Sequence, residues 1–434
     1  MSTVRFDPVS RLDGELVPPP DKSISHRAAI LGAMSDGRVQ IRGYLRSADT
    51  AATLEAVTEL GARLARAQPR GASTDIDLVG AGLRGADPGA ESIDVRNAGT
   101  LLRILPGWLA GQPRGSWTLD GDESIRRRPV DRVAHPLRRM GASVDFREGG
   151  LPPMLVEGAD LHGIEYELPV ASAQVKSCVL LAGLLADGET TVVEALPSRD
   201  HTEVMLRAAG ADVQTANGRV SVSGMRRIEL DEVAVPGDFS SAAFLVTAAT
   251  VIPGSVLALR GVGLNPTRTG LLRVMERMGA DVQVSEQTAP GGEAVGDVLV
   301  RVAELRGTAV EPAEVPLTID ELPLVALLGA FAEGRTSVHG AEELRRKESD
   351  RIATVVEGLR ALGGRIEAAP DGFMMEGTGG LQGGSLDAVG DHRLAMLGAI
   401  AGIASREGVE VRGFEAADVS YPGFADDLRK LVKA

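Results

Sequence analysis

The chain of 434 residues contains a single cysteine, which excludes an internal disulfide and a cysteine-based metal cluster. Aromatic residues make up 3% of it and the net charge is −14, which argues against nucleic-acid binding through a basic face or through base stacking. No apolar run approaches the ~20 residues that span a bilayer. The stretch Met1-Ser2-Thr3-Val4-Arg5-Phe6-Asp7-Pro8 has no apolar signal region. P-loop and HExxH patterns are also missing, so nucleotide-driven and metalloprotease chemistry find no support. Gly80-Ala81-Gly82-Leu83-Arg84-Gly85 has the dinucleotide glycine spacing, but Ala86-Asp87-Pro88-Gly89-Ala90 cannot continue it as a helix, so it reads as a turn. These absences lead us to expect a cytoplasmic monomer with no metal, cofactor, membrane or nucleic-acid partner.

What is present is an ordinary globular composition, 44% hydrophobic and 24% charged, with length for two or three domains. Pro20-Asp21-Lys22-Ser23-Ile24-Ser25-His26-Arg27 places two cations and two hydroxyls ahead of an apolar helical run that stops near Gly37. Ser23 and Ser25 are candidate N-caps. A helix N-terminus with Lys22 and Arg27 beside it suits an anion such as phosphate.

The same unit, a polar start, a small-residue apolar helix and a glycine stop, recurs five more times. It begins again at Asn97, Ser172, Asp238, Asp320 and Asp391, at intervals of 66 to 82 residues. The stops fall near Gly111, Gly188, Gly254, Gly334 and Gly408. After each apolar helix comes an amphipathic one ending in an aliphatic-Gly-small turn: Leu60-Gly61-Ala62, Met140-Gly141-Ala142, Ala209-Gly210-Ala211, Met278-Gly279-Ala280 and Leu362-Gly363-Gly364. Each repeat therefore reads strand, apolar helix, strand, amphipathic helix, strand pair, and the fold class is α/β. Three repeats per lobe give one lobe at 21–236 and a discontinuous one at 1–20 plus 237–434. The strand from Val4 to Val17 would complete the final repeat, and helix N-termini aimed at the gap between lobes would form the active-site cleft.

The loops that open the amphipathic helices carry further charge: Arg46-Ser47-Ala48-Asp49, Arg126-Arg127-Arg128-Pro129, Ser198-Arg199-Asp200-His201, Asn265-Pro266-Thr267-Arg268, Arg345 to Arg351, and Asp418 to Pro422. Pro129 suits a first helical residue, and in a helix Lys347 and Arg351 would share a face with Glu348 alongside. Lys22, Arg27, Arg128, Lys176, Arg199, Lys347, Arg351 and Arg393 thus recur at equivalent points of a repeat. Singly each could be surface decoration, but together they fit a small, multiply anionic substrate. Asp320 and Glu348 are the carboxylates among them. A carboxylate among cations stays ionised and suits a base, whereas an acid role needs the substrate's charge to raise its pKa. Cys178, inside an apolar helix, reads as a buried structural thiol.

In order along the chain, Lys22-Ser23-x-Ser25-x-Arg27, Asn97-Ala98-Gly99-Thr100, Arg128-Pro129, Ser172-Ala173-Gln174, Asp320-Glu321, Lys347-Glu348-Ser349-Asp350-Arg351 and Asp391-His392-Arg393 resemble the signature segments of the 3-phosphoshikimate 1-carboxyvinyltransferases (5-enolpyruvylshikimate-3-phosphate synthases). The resemblance implies a two-domain inside-out α/β barrel, the enolpyruvyl transferase fold, with three βαβαββ repeats per domain. It implies transfer of the enolpyruvyl group of phosphoenolpyruvate to the 5-hydroxyl of shikimate 3-phosphate. By that similarity Lys22, Ser23, Arg27, Ser172, Ala173, Gln174, Arg199, Asp320 and Lys347 would hold shikimate 3-phosphate. Lys22, Gly99, Arg128, Gln174, Arg351 and Arg393 would hold phosphoenolpyruvate. Asp320 and Glu348, with Lys22, would be catalytic.

Three positions depart from the family's pattern. Val419 stands where many members have lysine, Ala173 lacks the hydroxyl often found there, and Glu343 stands where some members have asparagine. Gly99 leaves space beside the phosphoenolpyruvate site, which implies inhibition by glyphosate. A sister transferase acting on UDP-N-acetylglucosamine usually relies on a cysteine in the second repeat's loop, and Asp122-Glu123-Ser124-Ile125-Arg126-Arg127 has none. A non-catalytic anion-binding repeat protein would explain the cations but not Asp320 and Glu348.

Overall fold

The computed structural model describes residues 2–433. Six helices form where the apolar runs were read: Lys22–Met34, Gly99–Ala110, Ala173–Gly183, Phe239–Val251, Leu322–Phe331 and His392–Ala404. A helix that is apolar around its whole circumference is stable only when covered on every side. The fourth is accordingly buried from Phe239 to Thr250 and the sixth from His392 to Ile403. Their small residues allow close packing: a Cβ on Gly107 would lie 2.1 Å from the Cys178 carbonyl oxygen of the neighbouring helix. The glycines after the amphipathic helices take the left-handed conformation that only glycine adopts cheaply, with φ of +101° at Gly61, +107° at Gly141 and +91° at Gly363.

The chain divides into two units. One is Pro20–Pro236 with Thr288–Glu293, and the other is Met1–Pro19, Gly237–Gln287 and Ala294–Ala434. In the first, Gly99–Ala110 packs on Ala173–Gly183 and on Lys22–Met34, and in the second the three buried helices pack on one another. Each unit has its own apolar core around them. The strands form three separate sheets per unit, so among the described residues no barrel closes. The repeating sheet is clearest at Ser92–Asp94, Ser116–Asp120, Leu151–Glu157 and Ser143–Arg147, in that spatial order. Its first two strands are parallel and the others antiparallel, the pattern expected when a buried helix joins the first pair and a turn joins the last. The outer strand Arg63–Arg70 is exposed at all eight positions and rich in arginine, which discourages pairing at that edge.

Several boundaries differ from expectation. The N-terminal stretch makes two strands in two sheets, not one. Thr3–Phe6 pairs with Val409–Arg412, and Arg11–Leu16 runs parallel to Val256–Gly263. Pro8, which has no N–H to donate, lies in the break. The first repeat takes its leading strand from Glu232–Ala234, parallel to Arg38–Leu45, and Val432–Lys433 adds to Arg11–Leu12 after the last helix. Asp21, not Ser23 or Ser25, caps the first helix by accepting from the Ile24 N–H, and that helix ends at Met34, short of Gly37. The third stops at Gly183, well before Gly188, because Asp187 is drawn into backbone bonds with Leu161 and Gly163. The fourth and fifth likewise end early, at Val251 and Phe331. Pro129 lies outside its helix, which begins at Asp131.

Candidate active site

In the Pro20–Pro236 unit, three helix starts carry the expected cations. Lys22 Nζ lies 3.2 Å from Asp49 Oδ2. Burial pushes the Asp49 carboxyl upward, but Lys22 and Arg128 outweigh it and hold the group below its ordinary range. Asp49 therefore pairs with Lys22 within electrostatic reach of Arg128, although the sequence reading quoted it only as part of a charged loop and not as a site residue. Beneath them His26 is fully buried, with Nδ1 2.6 Å from Thr53 Oγ1, and burial drives its pKa down to about 3.

Arg128 donates to Asn97 Oδ1 at 3.0 Å and to Ser124 Oγ at 3.2 Å. Its extended backbone, φ −94° and ψ 123°, is that expected before a proline. Gly99 starts the neighbouring helix, and a Cβ there would lie 2.9 Å from one Arg128 nitrogen and 3.2 Å from one of Arg103. The absence of a side chain lets both guanidinium groups lie across that helix end. Arg103 donates to Gln174 Oε1 at 3.2 Å, and Gln174 donates to Thr100 Oγ1 at 3.2 Å. Gly99, Arg128 and Gln174 therefore meet, around an arginine that the sequence reading missed. Its signal was position: Arg103 is one helical turn after Gly99.

The third start is different. Ser172 caps its helix through the Val175 N–H. Arg27, 4% exposed, donates to Thr202 Oγ1, Ser177 Oγ and the Ser23 carbonyl at 2.8, 2.9 and 3.0 Å. Burial lowers its pKa to about 10 against the pull of Glu203, and Arg199 is near enough for its charge to lower it further. Lys176, read as a cation for a ligand, is instead an internal one. Its Nζ is 2.7 Å from Glu194 Oε2, 2.7 Å from Glu203 Oε1 and 3.3 Å from the Ser198 carbonyl. Burial would lower its pKa, but the two glutamates outweigh burial and hold it up.

The Gly237–Gln287 and Ala294–Ala434 unit contributes a cluster centred on Asp320. Its carboxylate lies 3.3 Å from Arg351, 3.3 Å from Arg393 and 3.7 Å from Arg268. Arg393 also donates to the Asp320 carbonyl at 3.0 Å. Arg351, 1% exposed, reaches Glu348 at 2.6 Å and Asp391 at 2.8 Å. Burial alone would lower the Arg351 pKa, but Glu348, Asp391 and Asp320 drive it up. Asp391 caps the last buried helix through the Arg393 N–H, and Asp238 caps the fourth while accepting from Arg268 at 2.9 Å. Ser240 donates to Glu321, and Arg393 donates to Ser240 at 3.3 Å.

Asp320, Glu348, Arg351 and Arg393 are thus brought together. Two local expectations fail. Asp320 is not the cap of its helix, a place held by Glu321 without a side-chain bond. Lys347 and Glu348 lie in the loop before the helix Arg351–Ala361, so they do not share a helical face with Arg351. Glu348 reaches it through the loop. Arg268 and Asp238 were missed as site residues, although Asn265-Pro266-Thr267-Arg268 is the fourth repeat's counterpart of the arginine-bearing loops. Val419, 36% exposed, ends a short 3₁₀ turn and offers no charge. Cys178 is fully buried and burial raises its thiol pKa, as expected of a structural thiol.

Comparison with known proteins shows the family. A family model for EPSP synthase (3-phosphoshikimate 1-carboxyvinyltransferase) matches residues 6–428. The 3-phosphoshikimate 1-carboxyvinyltransferase of Desulfitobacterium hafniense is 43% identical over 432 residues, covering 99% of this chain and 98% of that one. The solved EPSP synthase of Acinetobacter baumannii superposes with a TM-score of 0.89 at 38% identity, covering 100% of this chain and 98% of that one. The enolpyruvyl transferase NikO of Streptomyces tendae shares the fold, with a TM-score of 0.76 at 19% identity and coverage of 98% and 96%. With residues 6–428 matched by the family model and nearly the whole chain aligned to its relatives, the chain belongs to the EPSP synthase family.

Proposed function

We propose that the protein transfers the enolpyruvyl group of phosphoenolpyruvate to the 5-hydroxyl of shikimate 3-phosphate, releasing phosphate, in the route to chorismate and the aromatic amino acids. The observation that carries this reading is the Asp320 carboxylate between Arg351 and Arg393, with Glu348 on the far side of Arg351. Cations that fix a carboxylate can also receive the charge of an incoming anion. A base, an acid and anion-binding groups then lie within one cluster.

Both substrates are anionic and repel each other, so cations must offset that repulsion before the hydroxyl can reach the vinyl carbon. Lys22, Arg128, Arg351 and Arg393, with Gly99 and Gln174, hold phosphoenolpyruvate. Ser23, Ser172, Gln174, Arg199 and Lys347 hold shikimate 3-phosphate, with Ala173 contributing only backbone. Arg27, already bonded to Ser23, Ser177 and Thr202, adds charge from beneath. Asp320 takes the 5-hydroxyl proton as the oxygen attacks. The substrate's negative charge raises the Glu348 pKa, so this group delivers a proton to the methylene carbon. A tetrahedral intermediate results. Glu348 then takes back a methyl proton as the C–O bond to phosphate breaks and the vinyl group re-forms.

Positioning of this kind can replace at best ~7–11 kcal/mol of bimolecular barrier, and acid–base help adds roughly 10²- to 10⁴-fold. With no side chain at Gly99, Arg128 and Arg103 lie across that helix end, where the anion glyphosate competes with phosphoenolpyruvate. The test is phosphate release from phosphoenolpyruvate with either acceptor. We expect turnover with shikimate 3-phosphate and none with UDP-N-acetylglucosamine, and the reverse pattern would refute the reading.

A further inference from the structure

We propose that Arg268 is a positioning residue for Asp320, a fixed cation that keeps the base oriented and ionised once substrate anions have engaged Arg351 and Arg393. This rests on the function proposed above. Arg268 is 3% exposed and tied to Asp238 at 2.9 Å, and Asp238 is itself committed to the first turn of the helix Phe239–Val251. Its other arm lies 3.7 Å from Asp320 Oδ2.

A second observation links the two residues through the backbone. Gly270, two residues after Arg268, begins the helix Gly270–Met278, and a Cβ there would lie 2.2 Å from Thr318 Oγ1 and 2.6 Å from the Leu317 carbonyl oxygen. The turn bearing Arg268 is therefore pressed without a spacer onto the segment that ends at Asp320. That contact holds the two backbone segments against each other. Among the charged groups facing Asp320 are Arg268, Arg351 and Arg393, with Glu321 and Glu348 paired to those arginines and Asp238 and Asp391 behind them. When a phosphate or carboxylate draws on Arg351 and Arg393, Arg268 stays within ion-pair distance of the carboxylate.

The experiment is steady-state kinetics of Arg268→Gln and Arg268→Lys across pH, with both substrates varied. Removing a cation beside a carboxylate raises its pKa, so the acid limb of the kcat profile should move up by roughly 1 unit or more in Arg268→Gln. In the same variant kcat at neutral pH should fall about 10- to 100-fold, with both KM values within about threefold of the parent, because ground-state binding is left intact. Arg268→Lys should recover part of kcat and of the acid limb. In an Asp320→Asn background, Arg268→Gln should add no further loss, since the two act as one unit. An unshifted acid limb, a loss carried by KM, or an additive loss in the Asp320→Asn background would overturn the proposal. Loss of substrate binding in both Arg268 variants would also overturn it. Inactivity of the parent protein itself would instead refute the function on which the proposal rests.

Discussion

Replacing Lys176 by methionine tests the internal role the structure gives it. The ammonium is 1% exposed and lies 2.7 Å from each of two glutamates whose side chains are 6% and 2% exposed. Methionine fills most of the same volume, so the change removes charge with little loss of packing. Two buried carboxylates then face each other without a counter-ion, and breaking a buried pair in this way costs about 3–5 kcal/mol. A unit of this size loses about 2–4 °C of melting temperature per kcal/mol, so calorimetry should show a fall of roughly 6–20 °C at neutral pH. The pH dependence has a defined sign. The glutamates hold the folded Lys176 pKa above its unfolded value, so its contribution is complete below the unfolded lysine range and is lost as pH rises through the folded value. The gap between parent and variant should therefore narrow in strong alkali, and also in acid, where the stranded glutamates take up protons, Glu203 first because burial already holds its pKa up. Adding Glu203→Gln should recover part of the loss, because one of the stranded charges is removed. A fall of less than about 2 °C, or no rescue by Glu203→Gln, would refute the reasoning, since a desolvated pair cannot lose its cation that cheaply.

Other outcomes follow from the same geometry. Gly99→Ala places a methyl 2.9 Å from Arg128 and 3.2 Å from Arg103, so the KM for phosphoenolpyruvate should rise and inhibition by glyphosate should weaken. Steady-state kinetics with added inhibitor checks both. Asp320→Asn and Glu348→Gln should retain shikimate 3-phosphate binding by calorimetry but lose roughly 10²- to 10⁴-fold in kcat. Near-parental rates in either variant would remove its role. Cys178, buried with a raised pKa, should resist a thiol-directed disulfide reagent in the native protein and react promptly in denaturant.

How much was legible in the sequence depended on the range of the interaction. The glycines at positions 61, 141 and 363 could be placed in advance because a left-handed residue at a helix end is a local requirement. The helix caps were less legible, since Asp21, Ser23 and Ser25 all offer a suitable oxygen and only the backbone path selects Asp21. The strand that completes the first repeat, Glu232–Ala234, was not legible at all. It pairs with Arg38–Leu45 across most of the unit's length, and a three-residue strand carries little pattern of its own. Lys176 and Arg351 show the same limit at the level of charge. Both follow polar helix starts, but the first is consumed by Glu194 and Glu203 while the second lies beside Asp320 and Glu348.

By itself, the sequence determined the sixfold repeat, the burial of six small-residue helices, the family, and most of the residues that carry the chemistry. These follow from periodicity, glycine placement and residue type, which act over a few neighbouring positions. Only the tertiary structure decided which cations remain beside Asp320, which are neutralised within the core, that Asp49 pairs with Lys22 and Arg103 with Gln174, and that Arg268 lies beside Asp320. An ion pair is set by distance in space, and that distance is fixed by the packing of helices and sheets far apart in the chain.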